Sequence, residues 1–403
     1  MRILYVCHRF PFPPARGGKI RPFNMIRHLS REHQVVVASL ARSPEEAEAG
    51  RGIAPHCSDF IMGEVSAPAA WARMIARLPT PGPSSMGYFY APALARQIQA
   101  RLQQERFDLI FVHCSSVAPY VSQVTGIPKI LDFGDMDSQK WLIYRRFKAF
   151  PLSLGYWLEG SKMAAAEKAL ARQFDLCTCT TRAELETLLR LQVTTPCDWL
   201  PNGVDHGYFA PSAEPYDSDA ICFVGRMDYF PNQQAMLFFC DAVFPLIRRR
   251  RRRATLTIIG AEPPAEIRRL GDREGITVTG TVADVRDPVR RSAASVAPLT
   301  IARGTQNKVL ECMAMGVPVV TSPEAAGGVD AVPGEHLLVA QSPQDYADKL
   351  LKLMEDPAAR QTLAAAGRAR VETCHNWAGS MAKLDRIIET CLRRYQAGRQ
   401  RRA

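Results

Sequence analysis

No apolar run in this 403-residue chain approaches the length needed to cross a bilayer. The amino terminus does not read as a secretory signal either. Its apolar stretch, 3–7, is short, and His8, Arg9, Pro11, Pro13 and Pro14 follow at once. Both absences predict a cytoplasmic protein. Cysteine pairs at zinc spacing are also missing. The 11 cysteines are an odd number set mostly in apolar segments, as at Cys7, Cys222 and Cys312, and Cys177 with Cys179 forms only a Cys-x-Cys. Such thiols fit a core in a reducing compartment. Neither the dinucleotide fingerprint GxGxxG nor the phosphate loop GxxxxGK[ST] occurs. No internal repeat is present, and no low-complexity segment apart from one run of arginines.

Positive charge is what the chain has in excess, with a formal net charge of +11. That balance favours nucleic acid, an anionic membrane or a phosphorylated substrate, without choosing between them. The arginine run, 248–253, closes an expected helix. Arginines suit the negative end of a helix dipole, so a solvated helix end accounts for it. The terminal RQRRA reads as a frayed basic tail.

The length predicts two domains, and a hydrophobic content of 47% is that of a globular protein. Strand-like runs alternate with helical patterns throughout, the mark of parallel α/β sheets. The first half offers strands at 3–7, 35–40, 109–113, 129–133 and 176–180. The second offers 221–225, 255–260, 276–280, 295–299 and 317–321. Between the two sets, 206–219 is rich in Pro, Asp and Ser and reads as a linker. The expected domains are therefore 1–205 and 206–375, with a final helix from 376.

The segment ARGTQNKVLECMAMGVPVVTS, 302–322, carries the densest chemistry. A helix is expected to open at Gly304 and close at Gly316 and Pro318, with a buried strand after it. Thr305, Lys308 and Glu311 would then share one face and Val309, Leu310 and Met313 another. Free amides at a helix start, with a lysine one turn in, suit a diphosphate. A carboxylate one turn further can accept from ribose hydroxyls. An ordinary helix with a solvated Lys/Glu pair is the competing account.

Other candidates sit at strand ends. Gly17 and Gly18 precede a helix expected over 19–30, where glycines let a ligand approach closely. Arg226 follows a strand-ending glycine and is placed to hold phosphate oxygens. His113 ends the strand LIFVH, either as a ligand residue or as a capped strand edge. Asp132, Asp135 and Asp137 follow the next strand. They could be read as a metal site, but Asp135 and Asp137 fit better as caps of a helix beginning near Ser138. Over 140–157 basic and aromatic residues interleave, among them Lys140, Trp141, Arg145, Arg146 and Lys148, and Trp71, Arg73 and Arg77 form a shorter basic amphipathic stretch. Bases could stack on such residues, or lipid head groups could receive them.

Four stretches, ILYVCHRFPFPPARGGKIRPFN, LPNGVD, FVGRMDYFPN and the 302–322 segment, together resemble family 4 glycosyltransferases. The resemblance implies an α/β GT-B fold, two Rossmann-like domains facing each other across a cleft, with the last helix packing back on the first domain. The opening and FVGRMDYFPN are also similar to a bacterial subgroup linked to exopolysaccharide synthesis in PEP-CTERM/exosortase systems. The resemblance further implies retaining transfer from a nucleotide sugar to a saccharide or lipid-linked saccharide, with no cofactor, no obligate metal and no nucleic-acid partner. Membrane contact at the inner face of the cytoplasmic membrane follows from lipid-linked acceptors.

Carried over by residue, Glu311 would hold the ribose and Arg226 the departing diphosphate. Gly17 and Gly18 would approach donor phosphate and acceptor, with Lys19 and Arg21 toward an acceptor phosphate, and His113 would stand near the donor sugar. Gly304, Thr305 and Arg303 complete the donor set. The chain departs from the family pattern twice. The lysine common a few residues after Arg226 is absent, so Lys308 is expected to supply that charge. Arg303 also stands where many members carry a glutamate, eight residues before Glu311. A non-catalytic homologue acting as a scaffold is the rival that Arg303 favours.

Overall fold

The computed structural model describes residues 1–14 and 17–400; the final residues of the basic tail, 401–403, lie outside the described residues. The chain divides into two compact units, Met1–Leu200 with Met381–Ala403, and Pro201–Ser380. The strands of the first unit are β1 (Arg2–Cys7), β2 (Gln34–Ala41), β3 (Asp59–Glu64), β4 (Leu109–His113), β5 (Lys129–Gly134), β6 (Leu176–Cys179) and β7 (Cys197–Trp199). They form one parallel sheet in the order β3-β2-β1-β4-β5-β6-β7. The second unit holds β8 (Asp217–Val224), β9 (Thr255–Ile259), β10 (Ile276–Gly280), β11 (Ser292–Ala297), β12 (Val319–Thr321) and β13 (Leu338–Val339). These make a second parallel sheet in the order β10-β9-β8-β11-β12-β13.

Each expected strand is present within a few residues. The three that the pattern missed, β3, β7 and β13, lie at sheet edges or are very short, and their side chains are mostly half-buried. A strand covered on one side only need not carry a continuous apolar run. The central strands do carry one: Ile3 to Cys7 and Leu109 to Val112 are fully buried.

The unit boundaries differ from the expected ones by five residues each. Val204 pairs with Asn376, and the His375 ring lies 3.3 Å from the Asn202 carbonyl, which ties 201–205 to the second unit. The last helix, Trp377–Gln400, counts with the first unit from Met381 onward. Lys383 pairs there with Asp198 at 3.0 Å, and His28 with Asp385 at 2.9 Å. The arginine run is less solvated than a simple helix end. Arg248 pairs with Glu274, Arg250 with Asp348 and Arg251 with Asp219, which neutralises half of it.

No helix among the described residues is long and apolar enough to cross a membrane.

Candidate functional site

In the second unit, chemistry gathers where β8 and β9 end. Gly260 follows β9, and a Cβ there would come 1.8 Å from the Gly225 carbonyl oxygen, so only glycine permits this approach. The approach carries Arg226 out of the sheet. Its guanidinium pairs with Asp228 at 3.0 Å and Glu262 at 2.7 Å. Hydrogen bonds donated to Asp228, then Glu262, raise its pKa, so the charge is permanent.

The helix expected from Gly304 begins later, at Asn307, and runs to Ala314. Gly304 turns with φ +65°, a conformation L side chains avoid, and Thr305 lies in the turn before the helix. Thr305 therefore does not share a helical face with Lys308 and Glu311, which is a correction. Lys308 and Glu311 do share one, three residues apart, while Val309, Leu310 and Met313 are buried on another. No side chain caps this helix start. Arg303 precedes the turn, half-buried, and its carbonyl accepts from Gln306 Nε2 at 3.1 Å.

Asn232, which sequence reasoning passed over, joins these parts. Its amide donates to the Arg226 carbonyl at 2.7 Å, and its oxygen accepts from Lys308 Nζ at 2.5 Å. Lys308 is thereby tied to the Arg226 loop, where a second cation was expected. Burial lowers the Lys308 pKa to about 8, with Glu311 opposing, and raises that of Glu311 to about 7, with Lys308 opposing. Strained titration of this kind marks functional sites.

In the first unit, β1, β4 and β5 end side by side, and Asp132 is the hub. The carboxylate is fully buried and accepts from Arg21 Nε at 2.8 Å, Arg21 Nη2 at 2.9 Å and Thr178 Oγ1 at 2.8 Å. Its Oδ2 also lies 2.8 Å from His113 Nδ1. Burial alone would raise its pKa, but Arg21 and then His113 hold it well below the usual carboxylate range. His113 is thus oriented through Nδ1, which leaves Nε2 for a ligand.

Arg21 is spent in the same network. It also donates to the Leu200 carbonyl at 2.7 Å and is buried, so its expected role on an acceptor phosphate is corrected to a structural one. Lys19 is corrected likewise: it is buried and pairs with Glu46 at 2.7 Å. Gly17 and Gly18 open the Gly17–Leu29 helix, exposed. A Cβ on Gly18 would meet Arg9 and His8 at ordinary contact distance, 3.7–3.8 Å, so the fold itself does not require glycine there.

Asp135 and Asp137 do not cap the helix as expected. It spans Asp137–Tyr144, and their carboxylates accept hydroxyls from Thr180 and Ser115. Its first amides are taken instead by remote carboxylates: Met136 N donates to Glu184 at 2.8 Å and Ser138 N to Glu167 at 3.0 Å. Glu167 lies within the helix Leu152–Ala171, and burial raises its pKa to about 8.

A cavity of about 340 Å³ lies beside this helix. His8, Arg9, Cys114, Lys140, Trp141 and Tyr156 are among its lining residues. The possible ligand atoms of His8, His113 and Cys114 lie within 4.8 Å of one another, the one such group among the described residues that could hold a metal ion. Burial, with Asp137, Asp132 and Asp135 nearby, pushes the Cys114 thiol well above its usual pKa, which disfavours the thiolate a metal requires.

Two family models match the sequence, "Glycosyltransferase Family 4" over residues 16–208 and "Glycosyl transferases group 1" over residues 218–356. Together they span both units. The chain belongs to the family 4 glycosyltransferases.

Solved structures agree with this on the fold. The transferase is similar to HepE of Anabaena in complex with UDP, with 14% identity, a TM-score of 0.71, and 97% of this chain and 100% of that one covered. Sucrose-phosphate synthase of Thermosynechococcus elongatus gives 17% identity, a TM-score of 0.72, and coverage of 97% and 99%. TarM of S. aureus, a mutant solved with fondaparinux, alpha-GlcNAc-glycerol and UDP, gives 11% identity, a TM-score of 0.66, and coverage of 96% and 99%. At such identities the likeness shows the GT-B fold. No curated protein matches the chain.

Proposed function

We propose that this transferase moves a sugar, with retention, from a nucleotide-sugar donor to a saccharide or lipid-linked saccharide in exopolysaccharide or cell-surface glycan synthesis. The observation that carries the donor reading is the Lys308–Glu311 pair. Both side chains have pKa values shifted by burial at an uncapped helix start, and Asn232 links the lysine to the Arg226 loop. Solved HepE complexes with UDP and with UDP-glucose support a nucleotide-sugar donor.

In this reading Glu311 holds the ribose, and Arg226 and Lys308 hold the diphosphate. The acceptor hydroxyl oxygen bonds to the anomeric carbon as the bond from that carbon to the diphosphate breaks. The electron pair leaves on phosphate oxygen, and the hydroxyl proton ends on the departing phosphate or in solvent. Fixed cations and helix amides stabilise the charge that develops. No cofactor or obligate metal takes part.

Glu311→Ala tests the donor site. Calorimetry with UDP should show a loss of about 1.5–3 kcal/mol in a folded variant; unchanged affinity would remove Glu311 from the site. Affinity should also vary with pH. Above about 8 Lys308 loses its charge, and below about 7 Glu311 takes up a proton, so UDP should bind best between those values.

We place the protein at the inner face of the cytoplasmic membrane, by charge and exposed apolar surface in the first unit. Arg145 and Arg146 are exposed beside Phe150, which is 80% exposed, Leu152 and Trp157. Lys162 Nζ joins this region to the Leu78 carbonyl at 2.8 Å, just past the Ala67–Ala76 helix with its exposed Trp71 and Ile75. Basic residues near an anionic surface contribute about 1 kcal/mol each. Replacing Arg145, Arg146 and Lys148 by glutamine should release the protein from anionic liposomes and leave UDP binding intact. A wild type that ignores such liposomes at low salt would sink the membrane reading.

A further inference from the structure

The cavity beside the Asp137–Tyr144 helix has an unusual balance of groups. Arg9 and Lys140 both line it, and neither makes a hydrogen bond or ion pair among the described residues. Arg21 and Arg226, by contrast, are each engaged by carboxylates. One carboxylate lines the cavity, Asp137, and it already accepts the Ser115 hydroxyl at 3.1 Å. Two cations against one acid leave the space positive.

The apolar side is aromatic. Trp141 and Tyr156 meet at a centroid distance of 5.3 Å and an angle of 50°, and Tyr144 and Tyr156 at 6.3 Å and 60°. Rings tilted in this way do not cover one another's faces, so a flat C–H surface can lie against them. His8 adds a polar atom without a partner: its Nδ1 is buried and makes no hydrogen bond. The volume, about 340 Å³, is that of a small-ligand pocket.

We propose that this cavity is the acceptor subsite, and that it selects a glycoside carrying a negative charge, with the sugar ring on Trp141 and Tyr156 and the acid between Arg9 and Lys140. The inference rests on the glycosyl-transfer reading above and narrows its acceptor. A phosphate and a uronic carboxylate share the recognising chemistry, since both accept charge-assisted hydrogen bonds from a guanidinium and an ammonium. A neutral glycoside would use the aromatic floor alone.

Binding of methyl glucoside, methyl glucuronide and glucose 1-phosphate can be followed by the fluorescence of the intact protein, alongside UDP binding by calorimetry. The wild type should bind at least one anionic glycoside about 10- to 100-fold more tightly than the neutral one. Preference for the glucuronide identifies a uronic acceptor; preference for the phosphate identifies a phospho-linked one. The double variant Arg9→Gln/Lys140→Gln should lose the preference while UDP affinity stays unchanged, and Arg9→Lys/Lys140→Arg should keep it. Trp141→Ala should weaken all three sugars together. Equal binding of neutral and anionic sugars by the wild type overturns the proposal, as does failure of both anionic sugars to bind or a preference that survives the double variant. Each of those results leaves the transfer reading standing if UDP still binds. A wild type that binds no nucleoside diphosphate would instead bring down the transfer reading itself.

Discussion

Asp132→Ala should cost the protein about 3–5 kcal/mol, the largest single loss expected in the first unit. The reason is what remains behind. The Arg21 guanidinium is 3% exposed on its side chain and would lose the buried carboxylate that takes two of its hydrogen bonds. Thr178 would also lose its acceptor, and the His113 ring would lose the group that orients it. Chemical denaturation gives the measurement, and a fall in melting temperature on the order of 10 °C should accompany it. The paired change Arg21→Met/Asp132→Leu removes both charges and should recover much of the loss, because well-packed apolar residues often replace a buried ion pair without penalty. A folded Asp132→Ala protein of unchanged stability would contradict the hub role. Activity carries a second signature: the paired variant should remain slow even where it is stable, since His113 is no longer held.

Arg226→Ala and Lys308→Ala should each lower kcat by about 10²–10³-fold, the scale seen when one fixed donor to a developing negative charge is removed. Stability should respond far less. Both carboxylates paired with Arg226 are largely exposed, and ion pairs at such surfaces contribute about 0–1 kcal/mol. Lys308 is held below its ordinary pKa by burial, so its removal relieves a desolvation cost as it breaks the bond to Asn232. Steady-state kinetics with melting curves on the same samples separates the two effects. Full transfer with both residues replaced would end their assignment to the leaving group. EDTA should leave turnover unchanged; activity abolished by chelation and restored by magnesium would count against this electrostatic scheme.

The two sheets were legible because their interior strands are apolar on both faces, as at β1 and β4. The edge strands β3 and β7 were not, because half-covered segments carry no such run. Among candidate residues, Lys308 and Glu311 could be paired from their spacing alone, which a helix turns into a shared face. Thr305 could not, because the start of that helix is set by the Gly304 turn and not by the apolar period. Arg21 and Lys19 misled for a related reason. A basic residue after a glycine pair looks available for phosphate until the fold supplies Asp132 from β5 and Glu46 from another helix. Asn232 had no local signal at all. Its two bonds join positions 6 and 76 residues away, and only the folded second unit makes them neighbours.

The Asp137–Tyr144 helix is fastened at its start by Glu167 and Glu184, carboxylates borrowed from elsewhere in the first unit. The groups that hold its start are therefore not the ones it presents to the cavity. Lys140, Trp141 and Tyr144 can be exchanged in combination, as in a randomised library, without removing either of those two bonds. If the cavity holds the acceptor, as inferred above, its preference is open to directed evolution at these three positions.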